Sequence, residues 1–328
     1  MYSAGNGLIL SDGMSVFRSA LKLRTGLLFM LGLLVLIESS AAVAASSDRL
    51  FYGGWYGDSI GSVSVDGSRS DPTLIQSSDP FDRFLAPTAM TIQGDFLYWE
   101  SNSLPIRIGR SHLDGSDAQT TFIESRFGEV GDGGIAVSDG ELYWEASVKT
   151  ARGTFATVLN RSRLDGTAVE DQVAVLGHAT GGPFVIKNDY AYFVAVSPSS
   201  SWDSISKVRI DGHHGRVPRL VSHRQIIGGS LVGRGRYLYW LEEGRQIYLA
   251  RASLDGSELN THFRTVPNRG CHAHSEITGA AISRRFIFLA CESGRVDRLT
   301  LRGKPRIRQI VTHARLGGGG MVLAVAPS

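Results

Sequence analysis

The sequence predicts an all-β fold, a six-bladed β-propeller with four antiparallel strands per blade. Two recurring anchors and one displaced strand predict it. The first anchor is an Asp-Gly turn, present as Val65-Asp66-Gly67, Leu113-Asp114-Gly115, Leu164-Asp165-Gly166, Ile210-Asp211-Gly212 and Leu254-Asp255-Gly256, with a degenerate Leu301-Arg302-Gly303. These turns are 48, 51, 46, 44 and 47 residues apart, which is room for four short strands per unit. The second anchor is an aromatic pair: Phe51-Tyr52, Tyr98-Trp99, Tyr143-Trp144, Tyr192-Phe193 and Tyr239-Trp240, fading to Phe288-Leu289. The displaced strand is the apolar stretch from Gly320 to Val325. The first unit begins directly at its aromatic pair and lacks the apolar strand that precedes the pair elsewhere. The C-terminal strand therefore joins the N-terminal blade and closes the ring, removing two open sheet edges.

Residues 1–44 stand apart from this array and have the order of a signal peptide. Arg18, Lys22 and Arg24 precede an apolar run from Gly26 to Ile37, and the small residues Ala42, Val43 and Ala44 follow, with cleavage expected after Ala44. Met14 would begin a signal of more ordinary length. The apolar run is shorter than the roughly 20 residues a membrane-spanning helix needs, and no later segment approaches that length. A single soluble domain over 45–328, secreted or periplasmic, is expected.

The units are justified one by one by their hairpins. Thr88 to Ile92 turns at Gly94-Asp95 into the strand from Phe96 to Trp99. Likewise Gly134 to Val137 turns at Asp139-Gly140, Phe184 to Ile186 at Asn188-Asp189, the strand before Gly235 into Leu238 to Trp240, and Ala280 to Ile282 at Arg284-Arg285. Asp-Gly and Asn-Asp supply the positive φ that two-residue hairpins require. Third strands alternate, as in Tyr248, Ala250, Ala252 and Leu254, which suits packing against a neighbouring sheet. With 42% hydrophobic and 20% charged residues the chain is neither disordered nor membranous, and a net charge of +3 is too small for nucleic-acid binding.

Leu-Tyr-Trp, a following Ile or Val strand with Arg or Ser, and Leu-Asp-Gly-Ser together resemble the YWTD repeat of the low-density-lipoprotein-receptor family, whose members form six-bladed β-propellers. The resemblance covers nearly all of 49–328. The chain departs from it after Tyr-Trp, where the family has Thr-Asp and this sequence has Glu100-Ser101, Glu145-Ala146 and Leu241-Glu242. The Cys-rich modules that flank receptor propellers do not accompany these repeats, so the resemblance implies fold and not receptor function.

Propeller topology places the ligand face where the first strand of each blade begins. The segments there are Pro87-Thr88, Asp132 to Gly134, Gly181-Gly182, Gly228-Gly229, Thr278-Gly279 and Gly318 to Gly320. A metal-assisted hydrolase or lyase needs convergent carboxylates at this mouth, and only Asp132 and Glu276 are near it. No catalytic residue, metal or cofactor is therefore assigned. Cys271, in the loop entering the sixth blade, and Cys291, at the end of its second strand, share a face and are expected to form a disulfide; a metal site over Cys271, His272, His274 and Glu276 is the competing reading. His178, His223 and His313 end outermost strands, too far apart for a shared metal. Asn160-Arg161-Ser162 is a lone glycosylation sequon. The sixth unit is rich in cations, among them Arg295, Arg298, Arg306 and Arg308, which serve either as edge protection or as a docking patch for an anionic partner. The function expected is that of an exported, monomeric binding or scaffolding module for a protein or anionic envelope component, the alternative being the hydrolase or lyase.

Overall fold

Each repeat of the sequence becomes one antiparallel sheet. The computed structural model describes residues 49–77, 85–101, 103–125, 133–177, 182–196, 202–211, 219–267, 276–312, 314 and 320–326. The expected signal peptide lies outside them. Blade two is β4 (Pro87–Gln93), β5 (Phe96–Ser101), β6 (Ile106–His112) and β7 (Gln119–Ser125). Blade three is β8 (Ile135–Ser138), β9 (Glu141–Lys149), β10 (Phe155–Arg163) and β11 (Glu170–Gly177); blade four is β12 (Val185–Lys187), β13 (Tyr190–Ala195), β14 (Asp203–Arg209) and β15 (Arg219–Arg224). Blade five is β16 (Val232–Arg234), β17 (Tyr237–Glu242), β18 (Tyr248–Ser253) and β19 (Asn260–Thr265); blade six is β20 (Ile277–Ile282), β21 (Phe286–Cys291), β22 (Val296–Thr300) and β23 (Ile307–Val311).

Blade one contains β1 (Arg49–Gly54), β2 (Ser59–Ser64) and β3 (Ser70–Gln76), and its innermost strand is β24 (Met321–Val325). The register runs from Leu50 opposite Val325 to Gly54 opposite Met321. The closure read from the missing strand is thus the closure observed. No α-helix occurs among the described residues, and no helix among them is long and apolar enough to cross a membrane.

The core is not central. Six apolar clusters fill the six spaces between neighbouring blades. The aromatic pair explains why one short motif suffices to build them. Successive side chains of a strand point to opposite faces, so Tyr98 packs towards blade three while Leu97 and Trp99 pack towards blade one. Tyr143 and Trp144 divide in the same way, as do Tyr239 and Trp240.

The second aromatic of each pair lies across the third strand of its own blade, opposite a residue that is small in four blades. Tyr52 faces Gly61, Trp99 faces Gly109, Phe193 faces Ser206 and Trp240 faces Ala250. A Cβ on Gly109 would stand 2.0 Å from the Trp99 ring. Glycine here makes room for an indole.

The hairpin turns adopt the expected conformation, with φ of 53° and 82° at Asp139 and Gly140, and 50° and 61° at Asn188 and Asp189. In the Asp-Gly turns the aspartate carries more than turn propensity. Asp66 Oδ1 accepts the Ser68 N–H at 2.9 Å and the hydroxyls of Ser64 and Ser68 at 2.7 Å; Asp255 accepts equivalent bonds from Ser257 and Ser253. These bonds favour the ionised form, holding the Asp66 carboxyl well below the usual range and Asp255 at about 2. Ser116 and Thr167 do the same for Asp114 and Asp165.

The residue before the aspartate has its own task. Among the described residues its carbonyl, or in blade six that of Leu301 before Arg302, accepts a hydrogen bond from the preceding blade at four of the six interfaces. Arg49 donates to Leu113 at 3.2 Å, Tyr98 to Leu164 at 3.2 Å, Arg264 to Leu301 at 2.9 Å and Arg298 to Val65 at 2.5 Å. The turn that closes one sheet is therefore a clasp on the next.

Candidate functional site at the channel mouth

The six innermost strands surround a central channel, and its mouth lies where those strands begin. A cavity of about 340 Å³ opens there, with Met90, Ile277 and Leu323 in its walls, Thr88 and Thr278 as hydroxyl groups, and Trp55 on its rim. Glycine backbone makes up much of the remainder, including Gly133, Gly182, Gly228, Gly229 and Gly279.

Sequence reasoning took these glycines as positions without chemistry. The structure gives them a positive reason, which is contact between blades. A Cβ on Gly229, whose φ is +73°, would stand 2.2 Å from the Thr278 carbonyl oxygen, and the Gly229 carbonyl accepts the Ala280 N–H at 3.1 Å. Thr278 Oγ1 accepts the Met321 N–H at 3.0 Å. Gly229 thus meets blade six backbone to backbone, a contact that a side chain would hold apart, while blades six and one are joined here through the Thr278 hydroxyl.

Glu276 is exposed at this mouth and lines the cavity, as its position in the sequence implied. Asp132 lies outside the described residues, as does Cys271. Cys291 ends β21 and is fully buried. Among the described residues no group of three or more His, Cys, Asp or Glu side chains could hold a metal ion. His178 and His313 also lie outside the described residues.

Three buried glutamates were not anticipated as such. Glu100 and Glu145 are fully buried at the position following Tyr-Trp, and Glu242 accepts the Trp240 Nε1–H at 2.9 Å. Glu145 stands close behind the mouth, since a Cβ on Gly134 would come within 2.9 Å of its carboxyl carbon. The sequence signal was present in the departure from Thr-Asp, but burial of the longer side chain depends on the neighbouring blade.

The four arginines singled out in blade six are not equivalent. Arg295 pairs with the fully buried Asp297 at 2.8 Å. Arg298 holds the Val65 carbonyl and lies 4.2 Å over the Phe286 ring. It occupies a repeated position: Arg298 stands opposite Phe288, and Arg110, Arg161, Lys207 and Arg251 stand opposite Tyr98, Tyr143, Tyr192 and Tyr239 in blades two to five. Burial and the neighbouring Arg308 weaken its hold on the proton, in that order. Arg306 and Arg308 are exposed, Arg306 just before β23 and Arg308 within it. Asn160 of the sequon is fully buried on β10, where its Oδ1 accepts the Gln172 N–H. A glycan has no room there.

The largest unanticipated feature is apolar and exposed. Antiparallel alternation puts the connection between second and third strands of every blade on the mouth side. Those connections carry Trp55 and Tyr56 in blade one, Leu104 in blade two, and Val196 and Trp202 in blade four, and in blade three Phe155 begins β10 directly after the connection; all are between 38% and 67% exposed. Among the described residues the other exposed large apolar side chains, Val169 and Leu259, follow Asp-Gly turns at the opposite end.

No protein-family model matches the chain, and no curated protein matches it. Solved structures similar to it include the computationally designed Ika8 protein (12% identity, covering 84% of this chain and 93% of that one, TM-score 0.43). The hydrazine synthase of Kuenenia stuttgartiensis is 14% identical over 78% of this chain and 74% of its own, with a TM-score of 0.45. A putative oxidoreductase (glucose dehydrogenase) of Thermus thermophilus is 16% identical over 68% of this chain and 83% of its own, with a TM-score of 0.46.

Proposed function

We infer that this propeller is an exported binding or scaffolding module that receives a protein partner on its mouth face. The observation that carries this reading is the gathering of Trp55, Tyr56, Leu104, Phe155, Val196 and Trp202 on that face. Exposed apolar side chains concentrated on one surface mark interaction sites, and Trp and Tyr dominate the energetics of protein interfaces. The repeat, similar to that of the YWTD family, supports a scaffold that presents loops, and the basic, apolar and small-residue order of residues 18–44 supports export. The hydrolase or lyase alternative has only Glu276 as a described carboxylate lining the mouth.

Proteins of the cell's own secreted or envelope fraction, retained by the mature chain, should be lost by a Trp55→Ala/Trp202→Ala variant. Its melting point should change little, because exposed substitutions usually shift stability by less than about 0.5 kcal/mol. An Arg306→Gln/Arg308→Gln variant serves as the comparison. Loss of the partner from the arginine variant alone would move the interface to blade six and overturn the mouth-face reading.

Export also bears on the cysteines. Unreduced protein from its own compartment should show no thiol labelling, with Cys271 and Cys291 joined. Labelling of both, or stoichiometric zinc by elemental analysis, would reverse this assignment.

A further inference from the structure

Towards the end of the channel opposite the mouth, a second, open cavity of about 400 Å³ is lined by the six innermost strands, sharing Met90, Ile135 and Leu323 with the mouth cavity. Its walls take apolar residues from every blade, among them Ile92, Val137, Val185, Val232, Ile282 and Val325. Lys187 ends β12 and Arg234 ends β16, so two adjacent blades each place a cation in this lining, and no carboxylate belongs to it. Neither cation has a hydrogen-bond or ion-pair partner among the described residues, although Arg234 is half-buried. Other partly buried arginines are engaged by polar groups or by rings: Arg161 by Glu141 and Glu170, Arg295 by Asp297, Arg264 by two carbonyls, and Arg251 by the faces of Tyr237 and Phe263.

Carboxylates at this end include Asp95, Asp139 and Asp189, on the hairpin turns of blades two to four, and Asp255, on the Asp-Gly turn beside the lining residue Leu254. They lie on the turns and do not line the cavity. The corresponding turn of blade six carries Arg284 and Arg285, both exposed. Blade six thus carries cations where blades two to four carry an aspartate, while on blade five Arg236 is paired with Glu258 at 2.7 Å. A half-buried guanidinium without a partner bears a desolvation cost that an anion would relieve, and a channel with apolar walls strengthens that attraction.

We propose that this end of the channel is a binding site for a small carboxylate with a short apolar body. The carboxylate lies between Lys187 and Arg234, and the body extends inward along the ring of aliphatic side chains. The volume is in the range of small-molecule sites, and the combination of mostly apolar walls with a few placed charges is their usual make-up. This site is separate from the mouth face and does not depend on the protein partner inferred there.

The probe is octanoate, titrated calorimetrically into the mature protein, with octyltrimethylammonium as a ligand of similar chain and opposite charge. Saturable binding of octanoate alone is expected. Arg234→Gln should weaken it about tenfold, since hydrogen bonds to charged groups are worth that much or more. Lys187→Gln should weaken it further in combination, while Arg234→Lys should retain most of the affinity by keeping the charge. All three variants should melt as the parent does without ligand. Trp55→Ala at the mouth should leave octanoate affinity unchanged. The site is refuted by absence of saturable octanoate binding, by equal binding of the cationic analogue, by unaltered binding in the double Gln variant, or by loss of binding in Trp55→Ala.

Discussion

Deleting residues 318–328 should abolish cooperative folding. The deletion removes β24, and with it Met321 and Leu323 from the space between blades six and one and Ala324 from the space between blades one and two. Truncating one buried Leu or Met costs about 2–5 kcal/mol, and total stability for a domain is only about 5–15 kcal/mol. Loss of the whole strand also frees the inner edge of β1 and removes the Thr278 contact to Met321. The expected result is a chain without a sharp thermal transition that aggregates through its open edge. A truncated protein that melts at the temperature of the mature chain would exclude ring closure as a source of stability.

Gly109→Val should be the most damaging single substitution among those that leave the ring closed. The added Cβ would meet Trp99 atoms at 2.0 to 2.5 Å, and Trp99 is fully buried between blades one and two. Overpacking of this kind typically costs about 1–3 kcal/mol and sometimes more, and the upper end is expected here because the obstructing group is a rigid ring. A loss of about 3 kcal/mol corresponds to a melting point lower by roughly 6 °C or more for a domain of this size. Gly244→Ala is the control. Its Cβ would meet nothing closer than 3.6 Å, and its thermal transition should match the parent's. Equal melting of Gly109→Val and the parent would contradict the packing described.

The parts of this molecule that could be read from sequence are those specified by local chemistry. Asp139-Gly140 and Asn188-Asp189 encode positive φ in their own side chains, and the alternation of Tyr98 and Trp99 encodes two faces in two residues. Blade count and closure followed because a repeat makes a missing strand conspicuous. Gly109 could not be understood in the same way, since the ring that requires it belongs to the adjacent strand. The mouth glycines likewise answer to carbonyls on neighbouring blades.

Arg298 illustrates the converse error. As one of several nearby cations it reads as surface charge, yet its partners Val65 and Phe286 lie 233 residues away and on the adjacent strand. Trp55, Tyr56 and Trp202 read as further core aromatics unless their flanks are considered. Gly53-Gly54 and Gly57-Asp58 around the first two, and the Ser run from Ser199 to Ser201 before the third, were the available signal of loop positions.

The union of β1 with β24 has a temporal side. On the ribosome β1 emerges early, and residues 55–320 must be made before its inner neighbour exists. Until then the first sheet carries an unpaired edge, however well blades two to six have formed. A polypeptide cut short by premature termination keeps that edge permanently, and unpaired strand edges make such species prone to aggregate. Only a chain translated as far as β24 can cover that edge, so closure of the ring reports that all six blades have been made.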